Sequence, residues 1–306
     1  MALVDMDGFQ PRTVDKVERL LDLLEEMDRH PALHGKLAMH GGTAINLFML
    51  DMPRLSVDID VSYIGSPDRE HMLAERPVIE DGIEEVGRAL GYDVSPADGG
   101  HAGRTFMLRY RGDWGIDHVK VDCIYMNRSP LIPTLRSCAM RPDAEVLMFD
   151  DIELAGGKVK AFFDRVKVRD LYDISNLGRH FDDAGDDELA HQSMLFYASL
   201  SARFPLSFEG RSERFADRQR EFDDQLLPML RDADEHPTLQ GLMSDAEEFI
   251  TRYILPRTDA EAEYLQLFAT GDFRPGLVFS DEAIAEAASK SPEALWKLQN
   301  LRKMQA

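Results

Sequence analysis

From Val14 to Met27 the apolar residues Val14, Val17, Leu20, Leu21, Leu24 and Met27 recur at three- and four-residue steps. That period predicts an amphipathic helix, ended by His30-Pro31. A short apolar run, Leu37-Ala38-Met39, meets Gly41-Gly42-Thr43 and then Ala44 to Leu50. The order reads as a strand or helix end, a tight glycine turn, and a helix whose first turn holds Thr43. Val57-Asp58-Ile59-Asp60-Val61-Ser62-Tyr63 alternates apolar and polar residues with β-branched content, the clearest strand in the chain. A helix is expected from about Val78 to Leu90, with Ile79, Ile83, Val86 and Leu90 on one face and Gly91 as its stop. Thr105–Tyr110 and His118–Tyr125 read as two strands paired across the Gly112–Gly115 turn, and Val146–Phe149 as another. From Asp150 the pattern becomes helical. One helix, capped by Asp150 or Asp151, should run through Phe163 and a second from Val168 to Phe181. Asp182–Asp187 reads as a loop or linker, and further helical segments follow without any fixed-period repeat. The expected fold is α/β (α+β): a mixed-sheet domain over residues 1–150, then a mostly helical domain over 151–306.

Length agrees, since 306 residues at about 150 per domain suggests two domains. Cys123 and Cys138 are the only cysteines and form no Cys-x-x-Cys pair, so neither a disulfide framework nor a thiolate zinc site is indicated. Asp5 and Asp7 stand where a signal peptide would carry positive charge, and no stretch approaches 18 uninterrupted apolar residues. A cytoplasmic protein with no membrane partner is the expectation.

Charge changes the picture more. Lys and Arg number 35 against 56 Asp and Glu, a net charge of −21. Taken whole, that total argues against generic adhesion to nucleic acid. By segment, residues 1–103 hold 9 basic and 20 acidic residues, residues 104–169 hold 12 and 9, and residues 170–306 hold 14 and 27. The middle is net positive between acidic flanks. Lys158, Lys160, Arg165, Lys167 and Arg169 place five positive charges in twelve residues there, a cluster suited to polyphosphate.

Asp58 and Asp60, two apart on a strand, emerge from one face about 7 Å apart. Such a pair suits Mg²⁺, which takes carboxylate and phosphate oxygens; two solvated acids on a half-exposed strand are the plainer alternative. Gly41-Gly42-Thr43 ahead of a helix offers backbone N–H groups and a hydroxyl to a phosphate, or is simply a turn. Asp122, among apolar residues in its expected strand, is either functional or paired with Lys120 on the same face. On a helix, Asp170 and Asp173 are i, i+3 neighbours, and Arg169 can pair with Asp173.

The run Gly41-Gly42-Thr43-Ala44 followed by Arg54-Leu55-Ser56-Val57-Asp58-Ile59-Asp60 resembles the first motif of the AbiEii/MenT-type nucleotidyltransferase toxins. Glu153-Leu154-Ala155-Gly156-Gly157-Lys158-Val159-Lys160-Ala161, then Arg165 and Arg169-Asp170-Leu171-Tyr172-Asp173-Ile174, is similar to that family's lysine and Arg-Asp motifs. Gly41 to Ile174 is a little under half the chain, and nothing beyond residue 182 matches. The resemblance implies metal-dependent transfer of a nucleoside monophosphate from a nucleoside triphosphate to RNA, with the tRNA 3′ end as acceptor and a cognate antitoxin as partner. It implies Asp58 and Asp60 as Mg²⁺ ligands and Asp122 as a third carboxylate near the acceptor hydroxyl. It assigns Gly41, Gly42, Thr43, Arg54, Lys160, Arg165 and Arg169 to the nucleotide, with Lys158, Asp170 and Asp173 completing the catalytic set; Lys158 against Lys160 and Asp170 against Asp173 stay open. Transfer to a small-molecule or protein hydroxyl, and a catalytically silent nucleotide-binding protein, are the rival readings.

Overall fold

Helix α1 (Pro11–Arg29) buries Val17, Leu20, Leu21, Leu24 and Met27, most of the predicted apolar stripe, and lies against a seven-stranded sheet. The computed structural model describes residues 5–100, 102–141, 144–185, 188–232 and 235–305. Its strands are β1 (Leu37–His40), β2 (Asp58–Tyr63), β3 (Asp93–Gly99), β4 (Gly103–Gly112), β5 (Gly115–Ile124), β6 (Leu135–Arg141) and β7 (Ala144–Phe149), in the spatial order β3-β4-β5-β2-β1-β7-β6. The sheet is mixed: β2 runs parallel to β5 and β1 to β7, and the remaining neighbours are antiparallel. The expected hairpin is present, with Gly112 opposite Gly115 across a two-residue turn.

Two strands escaped the sequence reading, and both are sheet edges. β3 contains Pro96, and an edge strand tolerates proline because one side of its backbone needs no ladder partner. β6 is half-exposed and carries no apolar alternation. Helix α3 (Arg69–Ala89) starts nine residues earlier than expected and continues through Pro77. Asp68 caps it, accepting from His71 N–H at 2.8 Å. Gly41–Thr43 forms a single α-turn (α2) that continues as a π-helical turn, Ala44–Met49.

The chain divides into two compact units. The first comprises residues 1–129, 134–150 and 229–234. Its core lies on one face of the sheet, where Ile59, Val61, Phe106, Leu108, Val119 and Val121 are fully or almost fully buried. α1 covers the Val61 end of this face, and α3 packs so closely on Leu108 that Gly87 has no room for a Cβ. The opposite face keeps its polar residues.

The second unit is helical: α4 (Asp151–Asp164), α5 (Val168–Ala184), α6 (Glu188–Leu200), the single turn α7 (Gln219–Glu221), α8 (Leu239–Phe249), α9 (Asp259–Ala269), α10 (Glu282–Lys290) and α11 (Pro292–Gln305). Its core is aromatic. Phe162 stacks on Phe215, while Phe204, Phe208, Tyr264, Phe268 and Phe273 form a chain of ring contacts. α5 overruns the expected linker as far as Ala184 and ends at Gly185, φ +96°. Residues 186 and 187 of that linker lie outside the described residues. Among the described residues, no helix is long and apolar enough to cross a membrane.

Candidate active site

In the first unit the glycine turn is fitted against an acid. Gly41 adopts φ +72°, and a Cβ on it would stand 2.2 Å from Asp60 Oδ2, so both the conformation and the space demand glycine. At Gly42 a Cβ would meet Arg54 Nη2 at 3.1 Å and Ser56 Oγ at 3.2 Å. Arg54 is buried beneath the turn and donates from Nη1 to the Leu55 carbonyl at 2.9 Å. Thr43, expected to face phosphate, is fully buried. Its hydroxyl donates to the Asp58 carbonyl at 2.5 Å and lies 3.0 Å from Ser56 Oγ, pinning the turn to the start of β2.

Strand register gathers the acids. On β2, Ile59 and Val61 enter the core while Asp58 and Asp60 stay half-buried on the opposite face, as the alternation predicted. β5 places Lys120 beside Asp58 and Asp122 beside Asp60, and β4 adds Thr105 beside Asp122. Lys120 Nζ lies 2.6 Å from Asp122 Oδ2, and the Thr105 hydroxyl donates to Asp122 Oδ1 at 2.5 Å. The two readings of Asp122 are therefore compatible: it is paired with Lys120, and it sits in the acid group. Burial raises the pKa of Asp60, the charges of Asp122 and Asp58 raise it further, and His40 and Lys120 oppose them. Lys120 is held above its ordinary value, because Asp122, Asp58 and Asp60 outweigh its own desolvation. Among the described residues, no three His, Cys, Asp or Glu side chains form a metal-binding group by themselves.

The second unit brings the later motifs together. Lys158, 5% exposed, places Nζ 2.9 Å from Asp170 Oδ1 and 2.7 Å from Asp173 Oδ2; those acids are 2% and 0% exposed. Arg165 grips Asp170 with Nε at 2.7 Å and Nη2 at 3.2 Å. Burial alone would raise the Asp170 carboxyl, but Lys158 and Arg165 overcome it and hold it well below the usual carboxylate range. Lys160 has a different environment, 2.8 Å from Asp164 and 3.1 Å from Glu293. The two lysines are thus separated: Lys158 joins the Arg-Asp motif and Lys160 does not. Asp170 and Asp173 both bind Lys158. The Arg169–Asp173 pair that helical spacing permits is not formed, and Arg169 makes no ion pair among the described residues. Gly156 is required by packing, since a Cβ would meet Tyr197 Cδ2 at 2.1 Å.

Three contributors were not assigned a role from sequence. Lys120 was visible, two residues before Asp122, only as its pairing partner. Thr105 carries no motif and is placed by the β4–β5 register. Arg211 lies 46 residues from Arg165 in sequence, yet it is fully buried and donates to the carbonyls of Phe162 and Arg165. It satisfies the C-terminal end of α4 and fixes the backbone that carries the Arg165 fork. Burial, with Arg214 and Arg203 nearby, pushes its guanidinium down to about 10.

The model of the family described as "Nucleotidyl transferase AbiEii toxin, Type IV TA system" matches residues 22–262. No curated protein matches the chain. Among solved structures, MenT4, a nucleotidyltransferase toxin from Mycobacterium tuberculosis, is similar with a TM-score of 0.51 at 15% identity, over 96% of this chain and 94% of that one. JHP933 from Helicobacter pylori is matched with a TM-score of 0.49 at 14% identity, over 79% of this chain and 92% of that one.

Proposed function

The chain belongs to the AbiEii family of nucleotidyltransferase toxins of type IV toxin–antitoxin systems, and on that premise we propose that it transfers a nucleoside monophosphate to the 3′ end of a tRNA in a divalent-metal-dependent reaction, blocking translation. Membership makes the protein a nucleotidyltransferase, with a nucleoside triphosphate as substrate and an antitoxin as partner. The observation that carries the finer reading is the convergence of Asp58, Asp60 and Asp122 on one sheet face, with the Gly41 turn set against Asp60.

The donor set fits Mg²⁺, which is commonly held by one or two carboxylates plus substrate phosphates. Asp58 and Asp60 would hold it, and the bound ion would supply charge neutralisation at the triphosphate. The glycine turn would present backbone N–H groups to phosphate oxygens, while Thr43 keeps turn and strand in register. Asp122, oriented by Lys120 and Thr105, would accept the acceptor hydroxyl's proton as that oxygen bonds to the α-phosphorus. The bond from the α-phosphorus to the bridging oxygen breaks, and pyrophosphate leaves. In the second unit Lys158 is engaged by two acids, so its part would be to hold α4 and α5 together; Arg165, bound to Asp170 but with its side chain 59% exposed, and Arg169, which makes no ion pair among the described residues, are cations there that could meet phosphate.

Incubation with Mg²⁺, each α-labelled triphosphate and total RNA is expected to label tRNA, and Asp58→Ala should lower the rate by at least about a thousandfold. Labelling that persists in Asp58→Ala removes the proposed site. Label on protein or on an added small hydroxyl compound instead of RNA removes the proposed acceptor.

A further inference from the structure

The sheet face that carries the acids does not end at them. Register on β4 and β5 continues it through Met107 beside Lys120, Arg109 beside His118 and Arg111 beside Ile116, to the hairpin turn with Trp114. From Asp122 to Ile116 is six residues, about 20 Å of strand. Arg109 and Arg111 are exposed, and among the described residues neither makes an ion pair or a side-chain hydrogen bond. Nearby cations behave otherwise: Arg104 lies 2.6 Å from Glu80, and Arg12 and Lys16 both bind Asp117 from α1. At the outer end Trp114 is 52% and Ile116 77% exposed, unusual for large apolar side chains. The acids beside this strip are Asp93, opposite Arg109 on β3, and Asp113 in the turn.

Uncommitted arginines at alternate strand positions, with an aromatic ring at one end and phosphoryl-transfer acids at the other, suit one class of occupant. Single-stranded nucleic acid binds through backbone phosphates on cations and bases on aromatic faces. We infer that the open face of the β4–β5 hairpin, with Arg109, Arg111 and Ile116 along it and Trp114 at its tip, is the track that leads the single-stranded end of a polynucleotide acceptor to Asp58, Asp60 and Asp122. The acceptor role rests on the RNA reading above. It also accounts for a strongly acidic chain acting on a polyanion, since two uncommitted cations lie on the same sheet face as the acids, farther along the β4–β5 hairpin.

The test compares wild type with Arg109→Ala/Arg111→Ala and with Trp114→Ala. Anisotropy of a fluorescein-labelled single-stranded oligoribonucleotide is read across salt without nucleotide, and KM and kcat for tRNA are read with labelled triphosphate. The double variant should raise KM for RNA about tenfold with little change in kcat, and its log–log salt slope should be shallower by about 1.4. Trp114→Ala should weaken oligonucleotide binding about tenfold with the slope unchanged. All three side chains are exposed, so melting temperatures should match wild type. Equal KM, affinity and slope in the double variant overturn the track while leaving the transferase reading intact. Wild-type protein that binds the oligonucleotide with the expected variant effects but labels no RNA supports the RNA-binding face and removes the RNA-acceptor reading. Unaltered RNA binding with loss of neutralisation by the antitoxin also overturns it, and gives the face to a protein.

Discussion

The protein holds two clusters of buried or half-buried charge that differ in kind. In the second unit Lys158 lies between Asp170 and Asp173, and Arg165 closes on Asp170 from outside. Lys158 and both carboxylates are out of water, while the Arg165 side chain is 59% exposed. In the first unit three carboxylates, Asp58, Asp60 and Asp122, share a half-exposed face with Lys120 as the cation in contact. In the helical cluster each carboxylate is in contact with a cation. In the sheet cluster burial pushes the Asp60 carboxyl up, and the charges of Asp122 and Asp58 add to it against His40 and Lys120. Lys158, Asp170 and Asp173 fall within the resembling motifs, as do Asp58 and Asp60, yet the two clusters differ enough in burial and pairing to propose different work: one would hold helices together, and the other would receive charge from elsewhere.

Stability measurements can break this contrast. Asp173→Ala or Lys158→Ala leaves an unmatched charge where water cannot reach it, and about 3–5 kcal/mol of stability should be lost in urea or thermal unfolding. If Lys158→Ala unfolds like wild type and loses only transfer activity, the cluster is catalytic and the contrast fails. Lys158→Ala therefore needs an unfolding curve beside its activity assay.

How much of this was legible in sequence follows from the same contrast. The central strands and α1 declared themselves, because one buried face imposes a period of two or of 3.6. The edge strands β3 and β6 did not, since an edge bears fewer packing constraints and can hold Pro96. The apolar face from Ile79 to Leu90 marked only the later part of α3, which begins at Arg69 and runs through Pro77. Asp58 and Asp60 could be proposed as a pair because strand spacing places them on one face, and Asp122 joined them through the family resemblance, but Lys120 became part of that group only when β2 and β5 paired. Lys158 and its acids share one stretch and were visible together, whereas nothing local connects Arg211 to Arg165. The inward turn of Thr43 was hidden for a similar reason: a hydroxyl's partner is chosen by the fold.

Acid sharpens the comparison with a smaller effect. The folded pKa of Asp170 lies below its unfolded value of about 3.9, so its contribution to stability is present above that value and lost as pH falls through the folded one. The melting temperature of the wild type should therefore fall progressively below about pH 4. Asp170→Asn should be less stable at neutral pH and show a shallower decline in that acid range. Parallel acid curves for the two proteins would mean that Lys158 and Arg165 do not hold this carboxyl down.

The smallest effect is expected at the sheet face, and its sign matters most. Asp60 shares its face with two like charges and is partly desolvated, so the folded state bears a cost for keeping it ionised. Asp60→Asn keeps the shape and removes that charge, and the variant should be unchanged or more stable by up to about 1 kcal/mol at neutral pH while nucleotide transfer is lost. Opposite signs for Asp60→Asn and Asp173→Ala would establish that the sheet holds charge for chemistry and the helices hold it for structure. A loss of about 3 kcal/mol or more at Asp60 would instead make the sheet cluster a second completed ion network, with Lys120 as its structural centre, and the distinction between the two clusters would go.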